Sequence, residues 1–214
     1  MDCWKLPAVF VLYVKKNNPD ADYIYSGIDL NDFFENEEEA RNHYSILKKI
    51  ADSMKKRKTE FSPCIFPWYK AVLTKGDLVI RMAVIAYALS DDELIDDVCT
   101  RISEVDGNYS ERSDVLRMLL HDPHTEVQKN ALLDCLADKA DYSRTNAYYI
   151  VNKMDLDDND YRKIESFLKY KAEDIRKNVI SLLRKQDAGK LAETAGRLVS
   201  DNNSISLMKE VQKL

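Results

Sequence analysis

Two histidines three residues apart, His121 and His124, are the most obvious pair of potential ligands in this chain. Two imidazoles at that spacing could chelate a divalent metal, but His121-Asp122-Pro123-His124 spans a proline turn with no third ligand at metal-site spacing. The run is expected to be an interhelical turn, with Thr125 and Gln128 as the capping box of the next helix. Asp155, Asp157 and Asn159 imitate the first three ligand positions of an EF-hand loop. Asp160 then stands where that loop needs glycine, and Ser166 where it needs a bidentate glutamate, so an acidic helix N-terminus is expected instead. Cys3, Cys64, Cys99 and Cys135 never form a C-x-x-C and are expected to be reduced thiols, with Cys99 and Cys135 in apolar helical patterns. No serine, cysteine or lysine sits in a nucleophile elbow or beside a paired base, and no glycine-rich phosphate loop occurs. No catalytic, cofactor-binding or metal-binding residue is assigned, and a non-enzyme is expected.

The remaining chemistry is that of contact. Lys129, Lys177, Arg184 and Lys185 fall on the polar side of the helices that would form the second layer of the fold, and they are the candidate partner-binding residues. Arg81 and Arg176 are expected to bind a turn aspartate of a neighbouring repeat, Asp77 or Asp174. Trp68-Tyr69 and Tyr148-Tyr149 read as core or groove-lining aromatics of amphipathic helices.

The elements that must position these residues follow from a recurring pattern. Leucine is followed seven residues later by isoleucine or valine across a short polar turn at Leu73/Ile80, Leu120/Val127, Leu168/Ile175 and Leu198/Ile205. In the first three copies an apolar pair follows, Val84-Ile85, Ala131-Leu132 and Val179-Ile180, whereas the fourth has Lys209-Glu210. An apolar helix end, a tight turn and a second amphipathic helix make a hairpin, and its recurrence makes a solenoid. The expected fold class is therefore all-α, an α-solenoid of helical hairpins. Residues 1–60 are expected to be an N-terminal helical segment packed on an array over 61–214. Helices are expected from Pro7 to about Lys16, near Ile28–Phe34, from the Asn36 cap to about Lys58, and from Pro67 to Gly76. Asp77 should cap the next, and a Ser90/Glu93 capping box should open one reaching Val105. Further helices are expected near 112–121, 125–137, 144–154, 160–170, 173–185, 189–200 and 204–213.

The stretches DLVIRMAVIAYAL (77–89) and EDIRKNVISLL (173–183) resemble the second helix of the HEAT repeat, which typically starts Asp-x-x-Val-Arg and continues with an apolar pair. HDPHTEVQKNALLDCL (121–136) is similar, with Gln128 at the usual arginine position. The resemblance covers roughly residues 66–214. It implies an armadillo-like array whose second helices line a concave face. Residues 157–203 are also similar to the HEAT-like part of large bacterial proteins of the molybdate-metabolism-regulator-like kind, which implies a module of a longer protein and brings no catalytic residues.

Composition sets the outer limits. At 214 residues the chain can bury roughly 70% of its unfolded surface and needs no metal or disulfide to fold. Five glycines and five prolines leave little material for the turns of a many-stranded β fold. A formal net charge of −5 argues against a dedicated nucleic-acid binder. The apolar run Ala8 to Val14 falls far short of the roughly 20 residues of a membrane span, and a cytoplasmic protein is expected. The expected function is a scaffold gripping a protein or peptide partner, an acidic one by its basic strip, or another part of its own longer chain. Alternatives are a nucleic-acid enzyme resembling the HEAT-like alkylpurine DNA glycosylases, and a small acidic antitoxin or immunity protein.

Overall fold

A computed structural model describes residues 34–61, 71–105 and 111–201. These residues are predominantly helical, with nine α-helices and one two-stranded antiparallel sheet among them. The chain divides into two compact units, Met1–Ala131 and Leu132–Leu214. The segments expected to be helical near 7–16, 28–34 and 204–213 fall almost wholly outside the described residues, as do Cys3, Cys64 and Trp68-Tyr69.

In the first unit, helix α1 spans Glu37–Ser53 and is capped by Asn36, whose side chain accepts from the Glu39 amide at 2.9 Å. Glu37, Glu38 and Glu39 occupy its positive end. The helix does not reach Lys58. Met54 turns to extended backbone, and strand β1 (Lys58–Phe61) pairs antiparallel with β2 (Ala71–Thr74), Lys58 opposite Thr74 and Phe61 opposite Ala71. Four successive cations, Lys55 to Lys58, would crowd one helical turn, and β-branched Thr59, Val72 and Thr74 favour extended backbone. The same sheet displaces the helix expected to end at Gly76. Thr74 instead caps α2 (Lys75–Leu89) in a reciprocal box with Asp77, at 2.9 and 2.8 Å, so Gly76 lies inside the first turn and Asp77 is the third helical residue.

Helix α2 is apolar almost all round, and it is buried accordingly: Leu78, Val79, Met82, Ala83, Val84, Ile85 and Ala86 are nearly inaccessible. It packs against α1, α3 (Asp92–Arg101) and α4 (Glu111–Leu119). Ser90, left-handed at φ 49°, ends α2. Asp91, not Ser90, then caps α3 by accepting from the Glu93 and Leu94 amides. α3 stops at Arg101, and a 3₁₀ turn at Ile102–Glu104 completes the stretch expected to run helical to Val105. Helix α5 (Glu126–Asp134) follows.

The second unit holds a 3₁₀ turn at Cys135–Ala137, α6 (Asp141–Val151), α7 (Asp158–Glu165), a second 3₁₀ turn at Ser166–Lys169, α8 (Glu173–Leu183) and α9 (Ala188–Asp201). Its core is Leu132, Leu133, Leu136, Ile164, Leu182 and Leu183, with Ala147, Val151, Ile175 and Val179 around them. Of the eight recurring apolar residues, Ile80, Leu120, Leu168, Ile175 and Leu198 are buried and Leu73 is half-buried. Ile205 lies outside the described residues.

Val127 departs from the pattern, being 43% exposed. Its neighbour Gln128 is 1% exposed instead. The Gln128 side chain donates to Asp92 at 3.0 Å and accepts from the His124 amide at 2.8 Å. These bonds turn the Gln128 side of α5 inward, and successive helical residues lie about 100° apart.

Gly196, inside α9, has no described atom beyond its chain neighbours and its own helix backbone within 4 Å of where a Cβ would stand. Gly196→Ala is expected to stabilise the chain by about 0.5–1 kcal/mol, because alanine loses less backbone entropy in a helix. Chemical denaturation measures this, and a loss of stability would show that the site is occupied.

Candidate interaction surface

The four candidate cations fall in both units. Lys177 and Arg184 are exposed and share one face of α8, two helical turns apart. Lys177 pairs with Glu173 at 2.9 Å. Lys185 folds back to donate to the main-chain carbonyls of Asn152 at 2.5 Å and Met154 at 3.5 Å. Lys129 belongs to the first unit, where its largely covered amine lies 4.0 Å from Glu126.

The arginines behave differently from the expected ladder. Arg81 donates to the Asp77 carbonyl at 2.9 Å, and Arg176 to the Tyr170 and Lys171 carbonyls at 3.2 and 2.6 Å. Asp174 is taken by Arg144, whose guanidinium reaches it at 2.7 Å through Nε and 2.5 Å through Nη2, while Nη1 holds the Asp138 and Lys139 carbonyls. Arg144 can do this because α6 and α8 run parallel with their first turns adjacent. The rest of that seam is Tyr148 to Ser181, hydroxyl to hydroxyl at 2.8 Å, and Lys185 to Asn152.

Arg112 completes the set. It is 7% exposed and donates to the Ser103 carbonyl at 3.2 Å and the Val105 carbonyl at 3.1 Å through Nε. Arg112, Arg144 and Arg176 thus each clamp carbonyls of the turn ahead of their own helix. Arg81, whose helix follows a strand without a turn, bonds within its first turn. The signal stands in the sequence: Arg81, Arg112, Arg144 and Arg176 are spaced 31, 32 and 32 apart. Each is followed three residues on by a fully buried Val84, Val115, Ala147 or Val179. Tracking leucines at spacings of 47 and 48 passes over it.

The acidic helix α3 works internally. Asp91 pairs with Arg41 and Asp97 with Lys48 at 2.8 Å, while Tyr44 donates to Asp97 at 2.8 Å and Arg101 reaches Asp52 at 2.6 Å. On the side of α5, Asp92 takes Gln128 and His124, and Asp96 accepts from the Thr125 hydroxyl at 2.6 Å. The His121–His124 segment is therefore a turn, with the Gln128 amide bonded to the Thr125 hydroxyl as a cap. Asp157 and Asp160 likewise form a reciprocal capping box at the start of α7. Among the described residues no cluster of histidine, cysteine and carboxylate groups could hold a metal. Cys99 and Cys135 are buried thiols outside any disulfide, and burial pushes the Cys99 thiol up to about 12.

Burial works to raise the Asp97 pKa, but hydrogen bonds from Lys48 and Tyr44 and the charge of Arg101 outweigh it and hold the carboxyl below its usual range. A carboxylate depressed in the folded state stabilises the fold above its unfolded pKa, and that contribution disappears as pH falls through the folded value. Asp97→Asn is therefore expected to lower stability near neutrality and to flatten its decline below about pH 4. Denaturant titrations across pH 2–7 test this, and identical acid slopes in the two proteins would contradict it.

Aromatic side chains supply the exposed apolar surface of the second unit. Tyr142 and Tyr149 on α6 are 67% and 61% exposed. Tyr148 is half-buried, meeting Tyr149 edge-on at 6.0 Å. No described helix is long and apolar enough to cross a membrane.

These features define a predominantly helical protein in which, within each unit, helices two apart are tied by polar side chains. The chain belongs to DUF5724, a family of unknown function that matches residues 4–208. No curated protein and no solved structure matched it.

Proposed function

We propose that this chain is a HEAT-like helical-repeat scaffold without catalytic chemistry, which binds a segment of a protein partner, or of its own longer chain, on exposed helix faces. The observation that carries the reading is the agreement between two periods. The arginine and buried-residue pattern recurs every 31 or 32 residues. The second-unit contacts between helices two apart span nearly the same interval: 30 for Arg144–Asp174, 33 for Tyr148–Ser181, and 32 for both Asp158–Lys190 and Glu165–Arg197. Stacked hairpins produce this, because each polar rung joins one repeat to the next. Such a stack offers a preformed surface, so a partner binds without the scaffold losing ordering entropy. A cytoplasmic location fits this reading.

Lys177 and Arg184 belong to that surface. Reversing both, Lys177→Glu with Arg184→Glu, is expected to weaken retention of partner polypeptides from nuclease-treated host lysate at least fivefold, as read by quantitative mass spectrometry. The melting temperature should stay nearly unchanged, since exposed substitutions usually shift stability by only ~0.5 kcal/mol. Equal retention by the folded double variant would remove these residues from the working surface.

A further inference from the structure

The two-stranded sheet of the first unit leaves one edge open. Just beyond the pair Lys58–Thr74, the Lys75 amide donates to the Arg57 carbonyl at 2.8 Å. Antiparallel pairs alternate between hydrogen-bonded and non-bonded, so Thr59–Leu73 and Phe61–Ala71 are the bonded pairs of this sheet. The main-chain groups of Lys58 and Glu60 therefore face away from β2, along the outer edge of β1. Lys58, Thr59 and Glu60 are all exposed. Lys58 and Glu60 make no hydrogen bond or ion pair with other described residues. The outer edge of β2 differs, because the Thr74 amide is already taken by Asp77 at 2.8 Å.

An open edge is a template for another strand. Antiparallel pairing of β1 with β1 of a second copy can be centred on Lys58, Thr59 or Glu60. Centring on Lys58 or on Glu60 sets like charges directly opposite, which destabilises a sheet. Centring on Thr59 sets Lys58 of each copy opposite the partner's Glu60, at the positions where the outward main-chain groups bond. Thr59 then meets the partner's Thr59 on the two-fold axis, at a non-bonded position. The other cations of the run, Lys55, Lys56 and Arg57, leave the two strands at opposite ends and do not face one another.

We infer that this chain pairs with a second copy of itself through β1, centred on Thr59, to give a four-stranded antiparallel sheet. Charge complementarity selects this occupant. A uniformly acidic strand would face Glu60 and a basic one Lys58, whereas β1 supplies both charges in the order a two-fold contact requires. Two short strands are marginal alone, and four make a sheet of ordinary size. The pairing is independent of the partner surface on α8.

Sedimentation equilibrium of the full chain is expected to show monomer and dimer in exchange. Lys58→Glu and Glu60→Lys, each alone, set like charges opposite and should weaken dimerisation at least about tenfold. Lys58→Glu combined with Glu60→Lys exchanges the two charges and should restore it to within about threefold. The melting curves should stay in place, since both side chains are exposed, and damage to the fold would not produce such a rescue. On mild oxidation Thr59→Cys should link two copies, mapped by mass spectrometry to position 59 of each. The Cα atoms of such a non-bonded pair lie about 4.5 Å apart, within disulfide reach. A chain monomeric at every concentration, a dimer indifferent to the single variants, or a double variant as weak as they are would overturn the pairing. So would a monomer that binds poly-glutamate through Lys58, because an acidic partner would then be the occupant.

Discussion

Ile175→Asp is expected to unfold the second unit. Ile175 is 4% exposed in the first turn of α8, with Val179, Ile180, Leu182 and Leu183 buried along the same helix. A carboxylate there would be buried against these apolar side chains, and an unpaired buried charge costs about 3 kcal/mol or more. That is a large share of the ~5–15 kcal/mol by which domains are usually stable. Circular dichroism and limited proteolysis should show loss of helix and new cleavage between residues 140 and 200. Ile175→Val, which keeps the site apolar, should cost only about 1 kcal/mol. A folded, protease-resistant Ile175→Asp protein would show that this turn of α8 is not part of the core.

Arg112→Met carries the second large effect. The guanidinium is buried, and its bonds tie Ser103 and Val105 to the start of α4. Methionine preserves most of the side-chain volume but leaves the carbonyl of buried Val105 without this donor, at about 1–3 kcal/mol for a buried group left unsatisfied. The Ser103 carbonyl, by contrast, is exposed and still accepts from Arg57 at 3.4 Å. Arg176→Met removes the corresponding clamp at an exposed turn, where water can replace the arginine, and should cost less than about 1 kcal/mol. Denaturant unfolding of both variants separates them. Equal costs would contradict the role given to burial.

Much of the helical character was legible in the residues, because capping chemistry and helical periodicity are local. Asn36, the acidic start of α7 and the His121–His124 turn all follow from side chains within four residues of the amides they satisfy. The β1–β2 pair was not legible, since strands of four residues carry little periodicity and their stability comes from each other. The leucine pattern located hairpins but mixed registers. Leu73 lies within a strand, Leu120 follows α4, and Leu168 lies in the 3₁₀ turn after α7, so Val127 came out exposed while Ile175 is buried. The arginines at 112, 144 and 176, 32 apart, mark the same clamp on carbonyls ahead of three helices. That Lys177 and Arg184 share one exposed face of α8 was readable from helical geometry alone. The role of Arg144 depends on which helix lies beside α6, and that is a tertiary fact.

Site-specific photocrosslinking in host cells tests the scaffold reading most directly. A photoreactive phenylalanine analogue replaces Tyr149 in one strain and Glu126, exposed in the other unit, in a second strain. The account predicts a crosslinked adduct at position 149 that is a polypeptide, resists nuclease, and is much weaker at position 126. A nuclease-sensitive adduct at position 149, or equal labelling at both positions, would contradict it.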